Sequence, residues 1–306
     1  MRRTSKAHTR VNGFVPFGKG GMMDEKNFRN GHAMEPEFSI LVVCLNPGEK
    51  LRTTLKSIEK QTYRDYEVVV KDGLSADGSA AYARAQAEKF PSLSVLEQKD
   101  NGIYDAMNQA VRAAKGKYVY FLNCGDRFYH EKVLEETAGL IAAHPAETGI
   151  YYGNIYDRLT GREVASNPRL DAFGCYRNVP CHQACFYDRR LLLVHPFDTG
   201  YRVRADYEQF LWCFFTKTQG LRTTFVYGDI LIADYEGGGF SETKQNRRIS
   251  AAEHKEIVGK YMSVGQIWKY RVILWATLSP VRTWLAKNPV TSGLYNGLKK
   301  KIYGKG

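Results

Sequence analysis

The chain has 306 residues, 43% of them hydrophobic and 25% charged, enough to bury a full core and to hold one large domain with extensions. No apolar run approaches the roughly 18 residues of a membrane span, and no apolar h-region follows the basic N-terminus, so neither a spanning helix nor a signal peptide is expected. The formal net charge of +12 sits at the two ends, +3 over residues 1–38 and +9 over residues 260–306, and a near-neutral body with a basic end points to an attachment surface, not to a basic active-site channel; no recognition module accompanies the charges, so nucleic-acid binding is not expected.

Residues 1–36, rich in Gly, Arg, Lys and Asn and without periodicity, read as a mobile basic arm. Phe38 to Leu45 reads as a first strand, closed by the Pro47-Gly48 turn. Leu51, Leu55 and Ile58 then follow helical spacing. Tyr66 to Val70 is a second strand. Asp72-Gly-Leu-Ser-Ala-Asp-Gly-Ser79 is a tight loop into a helix over Ser79 to Lys89, and Ser94 to Glu97 is a short third strand. After the Asp100-Asn-Gly turn, Ile103, Met107, Ala110 and Val111 mark a helix face. Tyr118 to Leu122 is a fourth strand ending in Asn123-Cys-Gly-Asp126, and Val133 to Ala143 is helical.

The second half predicts a strand over Gly149 to Tyr156, hairpin-linked to Arg162 to Ala165, and after a polar loop a strand over Cys181 to Tyr187. A short helix over Asp188 to Leu193 comes next, then a helix opened by Arg204-Ala-Asp206-Tyr-Glu208 and running to about Thr218. Phe225 to Ala233 is the last strand, followed by the flexible Gly237–Ser241 loop and a charged helix to Lys260. Val264, Ile267, Trp268, Val272, Trp275 and Leu278 repeat at helical spacing beside Lys269 and Arg271. Beyond Pro280, Trp284 and Lys299–Lys301 continue a basic amphipathic tail. The alternation of strand and helix predicts a mostly parallel α/β sheet covered on both faces, with ligands held beyond the strand ends at Asn46, Asp72 and Asp126. The six cysteines form no C-x-x-C pair and read as reduced core thiols of a cytoplasmic protein.

Several side chains carry possible chemistry. Asp126, ending a buried strand, ligates a hard divalent cation such as Mg²⁺ or Mn²⁺, with Asn123 adding a neutral oxygen, or else caps the next helix. Asp72 grips a base or ribose, or serves the turn; Asp100 lies on a loop heading to the same edge. One of Asp206 and Glu208 acts as a general base toward a sugar hydroxyl, or both complement the helix dipole. His182 beside Gln183 contacts a pyrophosphate or an acceptor, or is structural. No nucleophile elbow, P-loop or H-E-x-x-H motif occurs.

Taken in order, strand-Cys44-Leu-Asn46, Gln61-Thr-Tyr, Lys71-Asp-Gly-x-Ser-x-Asp-Gly-Ser79, Gly102-Ile-Tyr-Asp-Ala-Met-Asn108, Phe121-Leu-Asn-Cys-Gly-Asp126, His182-Gln183 and Ala205-Asp-Tyr-Glu208 resemble the family 2 glycosyltransferases over about residues 37–245. The resemblance is nearest to bacterial exopolysaccharide, O-antigen and colanic acid type enzymes. It implies a GT-A fold, Rossmann-like and mixed, over residues 37–259, with a nucleotide-binding half (37–126) and an acceptor half (127–259). It implies inverting transfer from a nucleotide-diphosphate sugar, a UDP-sugar foremost, to a lipid-linked or glycan acceptor in surface polysaccharide synthesis. By position it assigns Asp72 to the base, Asn46 and Glu49 to the nucleotide pocket, and Asp100 and Asp105 to the sugar and nucleotide border. Asp126 matches the metal ligand and Asp206 the catalytic base; His182 and Gln183 match the acceptor side, where Arg204 is also placed. Asn123 and Gly125 stand where the family carries further acidic residues, which implies a lighter metal site. With residues 260–306 on an anionic bilayer, the expected location is the inner face of the cytoplasmic membrane. The competing expectations are a nucleotidyltransferase and a non-catalytic nucleotide-sugar-binding protein of the same fold.

Overall fold

The computed structural model describes residues 35–216, 222–238 and 243–277, with the single positions 284, 288 and 291. The expectations for residues 1–34, for the centre of the Gly237–Ser241 loop and for most of the tail beyond Thr277 fall outside the described residues.

The first half is the expected repeating unit. Strands β1 (Phe38–Cys44), β2 (Tyr66–Asp72), β3 (Leu93–Glu97) and β4 (Tyr118–Phe121) alternate with helices α1 (Glu49–Glu59), α2 (Ser79–Ala85) and α3 (Ile103–Ala113). Strands β1, β2 and β4 are buried along almost their whole length because helices cover both faces. On one face Leu41, Val69, Val119 and Phe121 pack against Met107 and Ala110 of α3. On the other, Ile40, Val68, Val70 and Tyr120 meet Leu51, Leu55 and Ile58 of α1. β1 pairs in parallel with β2 on one side and β4 on the other.

The second half extends this sheet with strands of both directions. Here lie β5 (Arg127–Phe128), α4 (Val133–Ala143), β6 (Thr148–Asp157), β7 (Arg162–Val164), α5 (Ala172–Arg177), β8 (Cys185–Asp188), α6 (Arg189–Val194), α7 (Ala205–Phe215), β9 (Thr223–Tyr235), α8 (Lys244–Tyr261) and α9 (Val264–Ala276). Among the described residues the strand order is β3-β2-β1-β4-β8-β6-β9-β5, with β7 paired to β6. β8 is antiparallel to both β4 and β6. The long β6–β9 pairing is parallel, so most of the paired length is parallel, as expected.

Four local expectations change. The helix expected over Ser79 to Lys89 stops at Ala85 and resumes as a single 3-10 turn over Ala87–Lys89. The strand expected from Cys181 begins only at Cys185, because His182–Ala184 form a 3-10 turn closed by the Ala184 N–H on the Cys181 carbonyl at 2.8 Å. The polar loop before it contains α5, started by Asp171, whose side chain accepts from the Gly174 N–H at 2.6 Å. Finally, α9 does not divide into one apolar and one polar face. Ile267, Tyr270, Ile273 and Leu274 pack on the core, whereas Val264, Trp268, Val272 and Trp275 are exposed on the other side. The helix is apolar on two faces, one of them in solvent. No described helix is long and apolar enough to cross a membrane.

Candidate active site

The ends of β1 and β2 and the loops after them form one wall. Asn46, at positive φ, donates its N–H to Ser75 Oγ at 2.7 Å and accepts the Ala76 N–H at 2.8 Å. The Gly48 N–H reaches Asp77 at 2.8 Å, which ties the two loops together. Asp72 is fully buried and accepts from the Ser75 N–H at 2.6 Å, with the Cys44 thiol 3.6 Å away. Lys71, equally buried, pairs with Asp100 at 2.5 Å. That places Asp100 over Gly73, where a Cβ would come within 2.8 Å of its carboxylate. Asp105 opens α3 and accepts from the Asn101 N–H at 2.9 Å. A cavity of about 560 Å³ lies between this wall and residues 199–202, lined by Cys44, Leu45, Asp100, Tyr104, Tyr201 and Arg202 among others.

The loop after β4 carries the second group. Thr54 of α1 donates to the Asp126 carbonyl at 2.8 Å and accepts from the Gly125 N–H at 3.0 Å. Gly125 has φ +100°, and a Cβ there would come 2.5 Å from the Glu236 carboxylate, so this turn requires glycine. Asp126 is buried. One oxygen accepts the Glu236 N–H at 2.8 Å and the other accepts Gln183 Nε2 at 3.2 Å. Burial raises its pKa against the lowering effect of these two hydrogen bonds and of the nearby His182 and Arg158.

His182 lies between Asn123 and Asp206. Its Nε2 is 3.3 Å from Asn123 Nδ2, and its Nδ1 is 3.2 Å from Asp206 Oδ2. Asp206 Oδ1 accepts from the Tyr207 N–H at 2.9 Å and lies 3.0 Å from the Tyr104 hydroxyl. Burial pushes the Asp206 carboxyl upward, but hydrogen bonding and charge from His182, the Tyr104 hydroxyl and the Tyr207 N–H outweigh it, and the net shift is downward. Asp206 is therefore a carboxylate held ionised and fixed in orientation by three partners.

Asn123, Asp126, His182, Gln183 and Asp206 thus form one hydrogen-bonded group, and Asn46, Asp72, Asp100 and Asp105 stand together on the neighbouring wall. Two expected residues stand apart. Glu49 is 84% exposed and pairs with Arg52 at 3.0 Å. The Arg204 side chain turns to α8, with Nε on Ser250 Oγ at 2.7 Å and its guanidinium over the Tyr207 ring, so the structure gives it a role in packing. Glu208, the other acid at the start of α7, has no exposed side chain and is taken up by His195, Lys260 and Tyr261. Tyr104 and Glu236 belong to the site and were not expected there. Tyr104 lies in the Gly102–Asn108 motif but signals no role by its type, and Glu236 acts through its backbone.

A divalent cation can be tested against these donors. Among the described residues no group of three His, Cys, Asp or Glu side chains could hold one. Asn123 Oδ1, however, is buried without a hydrogen-bond partner, and each Asp126 oxygen keeps a second lone pair. One carboxylate and one amide oxygen, completed by phosphate oxygens of a substrate, make a donor set suited to Mg²⁺ or Mn²⁺.

Comparison with known proteins agrees with this geometry. The family model described as Glycosyl transferase family 2 matches residues 39–191. Enzymes named PGL/p-HBAD biosynthesis glycosyltransferase, from Mycobacterium bovis and Mycobacterium tuberculosis, are 34% identical over 211 residues, which covers 68% of this chain and 80% of theirs. Among solved structures, S. aureus TarS 1–349 superposes with a TM-score of 0.54 at 20% identity, over 65% of this chain and 60% of that one. Its complex with UDP gives 0.55 at 18% identity, over 74% and 70%. These superpositions establish the shared fold.

Proposed function

Because the chain belongs to glycosyl transferase family 2 and is a glycosyltransferase, we propose that it moves a sugar from a nucleotide-diphosphate sugar to a hydroxyl of a lipid-linked or saccharide acceptor, with inversion, in the building of a bacterial surface glycan. A UDP-sugar is the donor favoured here, since the TarS fold has been captured with UDP and with UDP-GlcNAc. The observation that carries the reading is that two residues adjacent in the chain, His182 and Gln183, hydrogen-bond Asp206 and Asp126 respectively. This sets a carboxylate suited to the leaving diphosphate beside one suited to the incoming hydroxyl.

In this mechanism the wall of Asn46, Asp72, Asp100 and Asp105 receives the nucleotide and the sugar. Asp206 takes the proton of the acceptor hydroxyl. The acceptor oxygen forms its bond to the anomeric carbon from the face opposite the diphosphate, and the electron pair of the broken bond leaves on the phosphate oxygen. One displacement inverts the centre, with no covalent enzyme intermediate. His182, Tyr104 and the Tyr207 N–H hold the Asp206 carboxylate ionised and aimed. Asp126 and Asn123 Oδ1 would hold Mn²⁺ or Mg²⁺, which would supply charge neutralisation at the leaving diphosphate.

The exposed face of α9 bears Trp268 and Trp275, 69% and 80% exposed, in a segment with nine Lys/Arg and no acid. Aromatic side chains within a basic segment suit an anionic bilayer surface, peripheral to the membrane, where a lipid-linked acceptor is presented.

The test is nucleoside diphosphate release from a panel of UDP-, GDP- and dTDP-sugars, with and without Mn²⁺ or Mg²⁺. Wild type is run beside Asp126→Ala and Asp206→Asn, with anionic vesicles co-sedimented in parallel. Metal-dependent release that falls at least 100-fold in both variants is expected, with sedimentation lost in Trp268→Ser/Trp275→Ser. Unchanged release in both carboxylate variants would overturn the assignment of the two residues, and unchanged sedimentation would overturn the membrane face.

A further inference from the structure

Residues 201–204, which lead directly into α7 and Asp206, are held from two sides. From α3, the Tyr104 hydroxyl shares its single proton between the Val203 carbonyl at 2.7 Å and Asp206 Oδ1 at 3.0 Å. From α8, one carboxylate collects three consecutive backbone donors: Glu253 Oε1 accepts from the Arg202 N–H at 2.7 Å, and Oε2 accepts from the Val203 and Arg204 N–H groups at 3.0 and 2.9 Å. Three N–H groups converging on one anion form a concave site for negative charge. The site lies at the amino end of α7, whose N-cap Arg204 offers no side-chain cap, so Glu253 adds a carboxylate from another helix to the acids Asp206 and Glu208 of the first turn. Glu253 is only 9% exposed, so few water molecules can replace it. Around it, Ser250 accepts from Arg204 Nε at 2.7 Å and Glu256 accepts from the Tyr201 hydroxyl at 3.0 Å.

We propose that Glu253 is a positioning residue for the transfer reaction: its carboxylate fixes the 201–204 loop, and through it both the approach of Asp206 and the wall of the 560 Å³ cavity formed by Tyr201 and Arg202. The proposal rests on Asp206 being the base. The chemistry requires a carboxylate because three donors need acceptor lone pairs only. A glutamine turns its amide NH₂ toward at least one of these N–H groups, leaving that donor unpaired and the loop free to shift. A displacement of about 1 Å at a reacting group costs on the order of 100-fold in rate.

The experiment uses the full chain with Glu253→Gln, Glu253→Asp and, for comparison, Ser250→Ala. It reads kcat and donor KM for diphosphate release and backbone hydrogen exchange over residues 200–208 and 66–72. Glu253→Gln should lower kcat at least tenfold with donor KM within threefold, and speed exchange at 200–208 at least tenfold while 66–72 stays as in wild type. Glu253→Asp, which keeps the charge, should recover part of both. Wild-type kcat in Glu253→Gln would overturn the proposal, as would loss of kcat without faster exchange at 200–208. Faster exchange in both segments together would reduce Glu253 to a general stabilising role and also overturn it. Failure of the Asp206 reading is seen separately, as retained activity in Asp206→Asn, and leaves the exchange result to decide whether the loop is clamped.

Discussion

Replacing His182 by alanine separates two roles that the Asp206–His182 contact could serve. In the intact site, burial pushes the Asp206 carboxyl up while His182, at 3.2 Å, supplies the largest of the opposing effects, and the net shift is below the ordinary 3.8. A hydrogen bond to a charged acceptor contributes about 1.5 to 3 kcal/mol, and roughly 1.4 kcal/mol corresponds to one pKa unit. His182→Ala should therefore raise the Asp206 pKa, with Tyr104 and the Tyr207 N–H left to hold the carboxylate. The sign follows: a base is active when deprotonated, so raising its pKa moves the acid limb of the rate profile upward. On the acid side the variant should therefore lose rate at a higher pH than wild type does. At pH 7 Asp206 is ionised in both, so this effect leaves the neutral rate within about tenfold. The assay is initial diphosphate release across the pH range, with far-UV circular dichroism at each pH to confirm folding. A loss at pH 7 in the range of roughly 100- to 10,000-fold, the contribution of a general base, would make the imidazole the proton acceptor and refute the reasoning.

Two further outcomes test the scaffold. Burial raises the Glu208 carboxyl, but hydrogen bonds from His195, Lys260 and Tyr261 outweigh it and bring it from 4.5 to about 2. Its folded pKa is depressed, so the stability it contributes is complete above pH 4.5 and is lost as pH falls toward 2. Glu208→Gln should lower unfolding free energy near neutrality by about 3 kcal/mol and flatten the loss between pH 4.5 and 2; denaturant titrations with equal slopes against pH would contradict this. Gly116 lies against β1, where a Cβ would come 2.6 Å from Ser39 Oγ and 2.7 Å from the Phe38 carbonyl carbon. Gly116→Ala should therefore destabilise by about 1 to 3 kcal/mol through overpacking, read as a lowered denaturation midpoint; an unchanged midpoint would show that β1 can yield there.

The strand-end positions of Asp72 and of Asn123–Asp126 were legible because their signals are local. An apolar strand that stops at Asp72 or at Asn123-Cys-Gly-Asp126 places those residues at a strand end whatever the rest of the chain does. Asp206 was legible by its position at the start of a helix. What escaped depends on partners far along the chain. The Glu236 N–H reaches Asp126 across 110 residues, and Tyr104 reaches Asp206 across 102. Glu253 looks like any acid on a charged helix until the loop folds onto it. Arg204 was placed at the acceptor by its neighbours in sequence, but Ser250 and the Tyr207 ring compete for its guanidinium and hold it. The full length of β9, thirteen residues, was hidden because its parallel partner β6 begins 75 residues earlier, and pairing overrides the weak polar signal at its ends.

That β6–β9 pairing has a consequence for how the enzyme is made. β1 to β4 need only residues 38–121 to pair, so on the ribosome this parallel part of the sheet can assemble early. β5 waits for β9, and Asp126 gains its Glu236 hydrogen bond only after residue 236 has emerged. Pairing over so many residues carries a loop-closure cost that slows folding, and during that interval the β6 edge is open. By pairing alone, the wall that holds Asp72 can form before Asp126 has its Glu236 hydrogen bond. The same ordering makes the β6 edge the place where a stalled or truncated chain would first pair with the wrong partner.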